Sequence, residues 1–118
     1  QEWEEFKPED AAILVIAHGI VARSARTAID ELREKGIKAG LSRPITIRPL
    51  AVKPLRAAVK RAKQILFTES ANGQLAQIVL EQLYGLTTPY STLYKMGVGV
   101  TGDDIVNKVE EIAVKEVI

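Results

Sequence analysis

Four times along this chain an extended run gives way to a helical stripe, and that alternation limits the fold more than any other feature. The first run, Ala11 to Ala17 (AAILVIA), is apolar throughout and has strand length. A run without polar alternation suits a strand covered on both faces, as in a parallel sheet. His18-Gly19 breaks it, and Val21, Ala25, Ala28, Ile29 and Leu32 then repeat on one helical face. Gly36, following Arg33 and Lys35, predicts a glycine cap at the end of that helix with basic residues in the last turn. Ile37 to Leu41 reads as a second strand closed by Ser42-Arg43-Pro44, with a further extended piece over Ile45 to Ile47.

The pattern continues to the end of the chain. Pro54 suits a first helical position, ahead of Leu55, Ala58, Val59 and Ala62 at helical spacing. Gln64 to Thr68 is the third strand, stopped by Glu69 to Gly73; Leu75, Ile78, Val79 and Leu83 form the third helical face, and Gly85 ends it. Tyr90 to Met96 is the fourth strand, followed by Gly97-Val98-Gly99. Thr101 with Asp104 three residues later imitates a capping box ahead of a helix that carries Val109, Ile112 and Ala113. Repeated β–α order predicts an open, three-layer α/β/α domain with a mostly parallel sheet and helices on both faces. We place that domain at residues 11–118. The acidic segment 1–10, with Glu2, Glu4, Glu5, Glu9, Asp10 and Pro8, reads as a lead-in or linker.

Composition removes several kinds of chemistry. The 118 residues contain no cysteine, which excludes disulfides, thiolate zinc sites, iron–sulfur ligation and thiol nucleophiles. A single histidine, His18, excludes a histidine pair or a multi-histidine metal site. A net charge of +1 is too balanced to argue for a nucleic-acid partner. No apolar stretch approaches the roughly 20 residues of a membrane span, so no membrane partner is expected. At 47% hydrophobic and 26% charged residues, the chain has the make-up of a folded domain.

In open α/β sheets, ligands bind beyond the carboxyl ends of the strands, near the point where strand order reverses. That rule selects His18-Gly19, Arg43-Pro44, Glu69 through Gln74 and Gly97 to Gly99. His18 could act as a base, a phosphorylated nucleophile or a metal ligand, or be a polar side chain satisfied by a loop carbonyl. Its surroundings share features with mannose-type phosphotransferase A domains and with small tetrapyrrole chelatases. The first need a Gly-Gly-Ser-Pro-like loop and the second a further histidine, and the chain has neither. Gly97, Gly99 and Gly102 match GxGxxG formally, but too near the end for the acidic ribose partner of a dinucleotide site. Lys53, Arg56, Lys60, Arg61 and Lys63 read as a solvated helix face, with an acidic or phosphate partner as the other reading. Asn72-Gly73-Gln74 would open a helix whose free N–H groups favour an anion, or else form a neutral turn.

Taken together, several segments resemble the carboxy-terminal domain of the α subunit of 2-oxoacid:ferredoxin oxidoreductases, a domain similar to that of transketolase. Ile16 to Arg23 is one, with His18 where the family usually has Tyr. The run Gly36 to Pro49, including Leu41-Ser42-Arg43-Pro44-Ile45-Thr46, is the most specific. Glu69 to Gln74 resembles a family Glu-Met-Asn-Leu-Gly-Gln segment, with Ala71 where the Asn stands. Lys95-Met96-Gly97, leading to Thr101 and Asp104, resembles the family's last glycine-rich turn. The resemblance runs from about Asp10 to Ile118, and the lead-in resembles the family linker.

The resemblance implies a transketolase C-terminal-like fold within a cytoplasmic enzyme of pyruvate-type, anaerobic or archaeal metabolism. Such an enzyme oxidatively decarboxylates 2-oxoacids with thiamine diphosphate, magnesium, iron–sulfur clusters and coenzyme A, and reduces ferredoxin. It implies no catalytic, cofactor or metal residue in this domain. Expected partners are the rest of the α subunit and the thiamine-binding β subunit. The residues expected at a crevice or interface are His18, Gly19, Arg23, Arg43, Pro44, Glu69, Asn72, Gly73 and Gln74. A chain starting without methionine is read as the cut edge of a larger enzyme, and an apolar patch for neighbouring domains is expected on its surface. The alternative is a free-standing small α/β ligand-binding or phosphotransfer module centred on His18.

Overall fold

The pattern of burial along the central strand explains the architecture. In a computed structural model that describes residues 3–7, 10–17, 20–44, 52–69, 74–83, 85, 88–94 and 100–117, every residue from Ile13 to Ala17 is buried. The elements run β1 (Trp3–Phe6), β2 (Ile13–Ile16), α1 (Ile20–Glu34), β3 (Ala39–Pro44), α2 (Val52–Arg61), β4 (Gln64–Glu69), α3 (Gln74–Gln82), β5 (Tyr90–Tyr94) and α4 (Gly102–Val117). The sheet order is β1-β3-β2-β4-β5. All pairings are parallel except β1 with β3, so the mostly parallel sheet predicted from alternation is what forms.

Alternate side chains of β2 enter two cores. Ile13, Val15 and Ala17 pack with Ala39, Leu41 and Leu66 under α1 and α4. Leu14 and Ile16 pack with Ile65 and Phe67 under α2 and α3. Two helices on each face make the three layers. Burying two faces of one strand explains why its sequence lacks polar alternation.

Helix ends follow local chemistry. At the end of α1, the Ile37 amide donates to the Leu32 carbonyl (3.0 Å) and the Gly36 amide to that of Arg33 (3.0 Å). This is a Schellman closure, and Gly36 takes the positive φ of 84° that it requires. At the start of α4, the Asp104 amide donates to Thr101 Oγ1 (3.1 Å) and the Thr101 amide to Asp104 Oδ2 (2.9 Å). The capping box therefore forms with Asp in place of Glu.

Three boundaries differ from the sequence reading. Ser42-Arg43-Pro44 continues β3 instead of closing it, because Trp3 to Phe6 pair antiparallel with Leu41 to Pro44. Helix α2 begins at Val52, so Pro54 lies third and not first. A first-turn position still costs no hydrogen bond, since those N–H groups lack intrahelical partners. The third strand extends through Glu69, and β5 is described only to Tyr94. The extended piece over 45–47 and the turn over 97–99 lie outside the described residues.

Part of the segment read as a lead-in is built into the sheet as β1. Arg33, in the last turn of α1, fastens the chain that follows it. Its Nε donates to the Ala39 carbonyl (2.8 Å), and Nη2 donates to the Lys7 carbonyl (2.9 Å) and to Asp10 Oδ1 (2.8 Å). This hydrogen bond and the guanidinium charge hold the Asp10 carboxyl below its usual range. The pair's contribution is therefore complete above the ordinary carboxylate value and disappears as the pH falls through the lowered one. Acid titration of unfolding should show a stability difference between the wild type and Asp10→Asn at neutral pH that vanishes at the acid end. A constant difference would contradict the pairing.

Candidate functional site

The connections place the reversal of strand order between β2 and β4. From β2 the chain moves outward to β3, then crosses over to β4 and continues to β5. The crevice of such a sheet opens above the carboxyl ends of β2 and β4. The described residues with buried polar side chains are Ser42, Thr68 and Glu69, and all three sit at the carboxyl ends of β3 and β4. Polarity is thus concentrated at the edge where the fold offers a site.

Glu69 is the most constrained of them. It is 2% exposed and follows Ile65 and Phe67 on the α2/α3 face. Its Oε1 accepts from the Leu75 amide (2.7 Å) and Oε2 from the Ala76 amide (3.1 Å). A helix N-terminus needs acceptors for its first N–H groups, and Gly73 ahead of α3 has no side chain to supply one. The carboxylate at the end of β4 does so instead, where the helix dipole also favours its charge. Two N–H groups that an anion bound at this turn would use are therefore occupied. The anion reading of Asn72-Gly73-Gln74 loses that support, although Asn72 and Gly73 lie outside the described residues. The signal that could have revealed the cap was in the sequence: a helix opening without an acid in its first turn, and a carboxylate just upstream.

Ser42 Oγ and Thr68 Oγ1 are buried and have no hydrogen-bond partner among the described residues. By strand alternation they lie on opposite faces, Ser42 beside Ile16 and Thr68 on the side of Leu66. Sequence reasoning did not single out either of them.

Arg43 sits at the other end of the same edge. Its Nη1 donates to Glu4 Oε1 (3.0 Å) across the β1–β3 pair. Both residues help line a cleft of about 180 Å³ that also touches Glu5, Phe6, Arg26 and Leu41. Arg23 is exposed on α1. Pro44 ends β3 and Gln74 begins α3. His18 and Gly19 lie outside the described residues. The structure thus separates two groups: Glu69 beside α3 at the switch point, and Arg43 with Glu4 at the β1 edge. Lys53, Lys60, Arg61 and Lys63 are exposed on or just after α2, in keeping with a solvated face.

The donor set does not suit an iron–sulfur cluster. Iron–sulfur clusters are held by thiolates and the sequence has no cysteine. Among the described residues, no group of three His, Asp or Glu is placed to hold a metal ion such as the magnesium of a diphosphate. No helix among them is long and apolar enough to cross a membrane. Tyr90 and Val114 are the large hydrophobic residues exposed among them, on separate elements, so the expected apolar patch is not seen there.

The family model for pyruvate:ferredoxin oxidoreductase core domain II matches residues 11–112. The chain belongs to that family. The core domain II chain is 32% identical over 112 residues to the ketoisovalerate oxidoreductase subunit VorB of Methanothermobacter marburgensis. The match covers 94% of this chain and 31% of that protein, so the chain spans about a third of its relative's length. Among solved structures, it superposes on 2-oxoglutarate:ferredoxin oxidoreductase from Magnetococcus marinus, solved with 2-oxoglutarate, coenzyme A and succinyl-CoA bound. The TM-score is 0.84 at 24% identity, over 94% of this chain and 19% of that one. A split-gene transketolase, described as an inactive beta4 tetramer, shares the fold with a TM-score of 0.76 at 19% identity, over 92% of this chain and 40% of that one. The fold expected from the sequence resemblance, transketolase C-terminal-like, is the one observed.

Proposed function

We propose that core domain II works here as the carboxy-terminal domain of the α subunit of a 2-oxoacid:ferredoxin oxidoreductase, serving assembly and not chemistry. The observation that carries this reading is the match over residues 11–112 by a chain that has no cysteine to ligate a cluster. The chemistry then belongs to other domains, where thiamine diphosphate, magnesium and the clusters reside and coenzyme A and ferredoxin react. The partners of this domain are the rest of the α subunit and the thiamine-binding β subunit, in a cytoplasmic enzyme. Arg43, near the carboxyl end of β3, and the segment Asn72–Gln74 border a route for substrate or coenzyme A. The purified chain, supplied with a 2-oxoacid, coenzyme A, thiamine diphosphate, magnesium and ferredoxin, should reduce no ferredoxin. Turnover under those conditions would overturn the non-catalytic reading.

A further inference from the structure

We propose that the cleft between β1, the end of β3 and α1 is a carboxylate-binding site with Arg43 and Arg26 as its cationic walls. The proposal rests on the reading of Arg43 as bordering the ligand route, and it names the chemistry that Arg43 would recognise. The two guanidinium groups are held in different ways. Arg26 lies over the Phe6 ring at 4.7 Å from its centroid, so an aromatic face positions it without using a carboxylate. Among the described residues, Arg43 is tethered at one corner, Nη1 to Glu4 at 3.0 Å, and its buried Nε has no acceptor.

A guanidinium donates along two edges, and the side edge that carries Nε matches the two oxygens of a planar carboxylate. Glu4 engages Nη1 and leaves the Nε position unfilled. The cleft, about 180 Å³, has the volume of several water molecules at roughly 30 Å³ each, enough for a carboxylate on a short carbon chain. Phe6 and Leu41 supply apolar wall for that chain. A small shift of Arg43 about its Glu4 tether would turn the buried Nε–H toward the ligand. Because Glu4 competes for the same cation and Glu5 lines the same cleft, the site would bind weakly and tighten when Glu4 is replaced by an uncharged residue.

Titration of the isotope-labelled chain with succinate, followed by NMR at constant ionic strength, tests this directly. The account expects saturable displacement of the Phe6 and Leu41 amide signals and of the Arg43 Nε–H signal. Arg43→Lys keeps the charge but removes the side edge, and should weaken binding about tenfold. Glu4→Gln should tighten it by a few fold. Inorganic phosphate at the same concentration should bind less well than succinate. Shifts that do not saturate, that survive Arg43→Lys unchanged, or that phosphate reproduces equally would overturn the proposal. The ferredoxin-reduction assay is unaffected by any of these results, so the two readings fail separately.

Discussion

Glu69→Ala is expected to be the most damaging single change at the carboxyl edge, lowering stability by about 2–4 kcal/mol. The substitution removes an acceptor that serves two amides, those of Leu75 and Ala76, in a place where water does not replace it. It also removes a negative charge from the positive end of α3. For a chain of this length the loss corresponds to a fall in Tm of roughly 8–16 °C, read by thermal unfolding in circular dichroism. Glu69→Gln separates the contributions. It keeps the shape and one acceptor oxygen, but turns an NH2 group toward an N–H, and should recover less than half of the loss. A wild-type Tm in the alanine variant would show that α3 does not depend on this carboxylate.

Gly40→Ala is the second large effect, and it acts through space instead of charge. A Cβ at this position would lie 2.5 Å from the Lys7 carbonyl oxygen and 2.8 Å from the Ala11 Cβ. The first obstacle is backbone, and it is not free to retreat: Lys7 has a φ of 53°, and Arg33 Nη2 grips its carbonyl at 2.9 Å. That left-handed conformation is itself strained for a residue with a side chain. Overpacking of this kind costs about 1–3 kcal/mol, and here relief requires the Lys7 carbonyl to move away from β3. The expected signature is therefore local as well as global. Hydrogen exchange at the β1 amides should rise more than exchange at those of β2. Uniform acceleration across the sheet would contradict a Lys7 carbonyl seated against Gly40.

These two residues mark where the sequence was legible and where it was not. The start of α4 could be read because Thr101 and Asp104 meet across one helical turn, and Gly36 closes α1 by the same kind of local geometry. The β2 core could be read because burial on two faces leaves an unbroken apolar run. β1 could not. Trp-Glu-Glu-Phe has two carboxylates in four residues, and its strand character comes from pairing with partners in β3 that lie 35 or more residues away in sequence. The same pairing carries β3 through Ser42-Arg43-Pro44, which in isolation has the composition of a turn. At the candidate site, the strand-end rule selected Glu69 and Arg43, which lie among the last residues of β4 and β3. It could not foresee that one would be consumed as a helix cap and the other tethered by a strand that the sequence reading took for a linker.

If, as proposed, this domain serves the assembly of a larger enzyme, association is the property to measure. A complete α subunit should be co-expressed with its thiamine-binding partner, with and without the segment corresponding to residues 11–112, and the two preparations compared by sedimentation. The intact subunit should sediment as the complex, while the shortened one should remain unassembled though its other domains are folded. A shortened subunit that still forms the complete complex would contradict it.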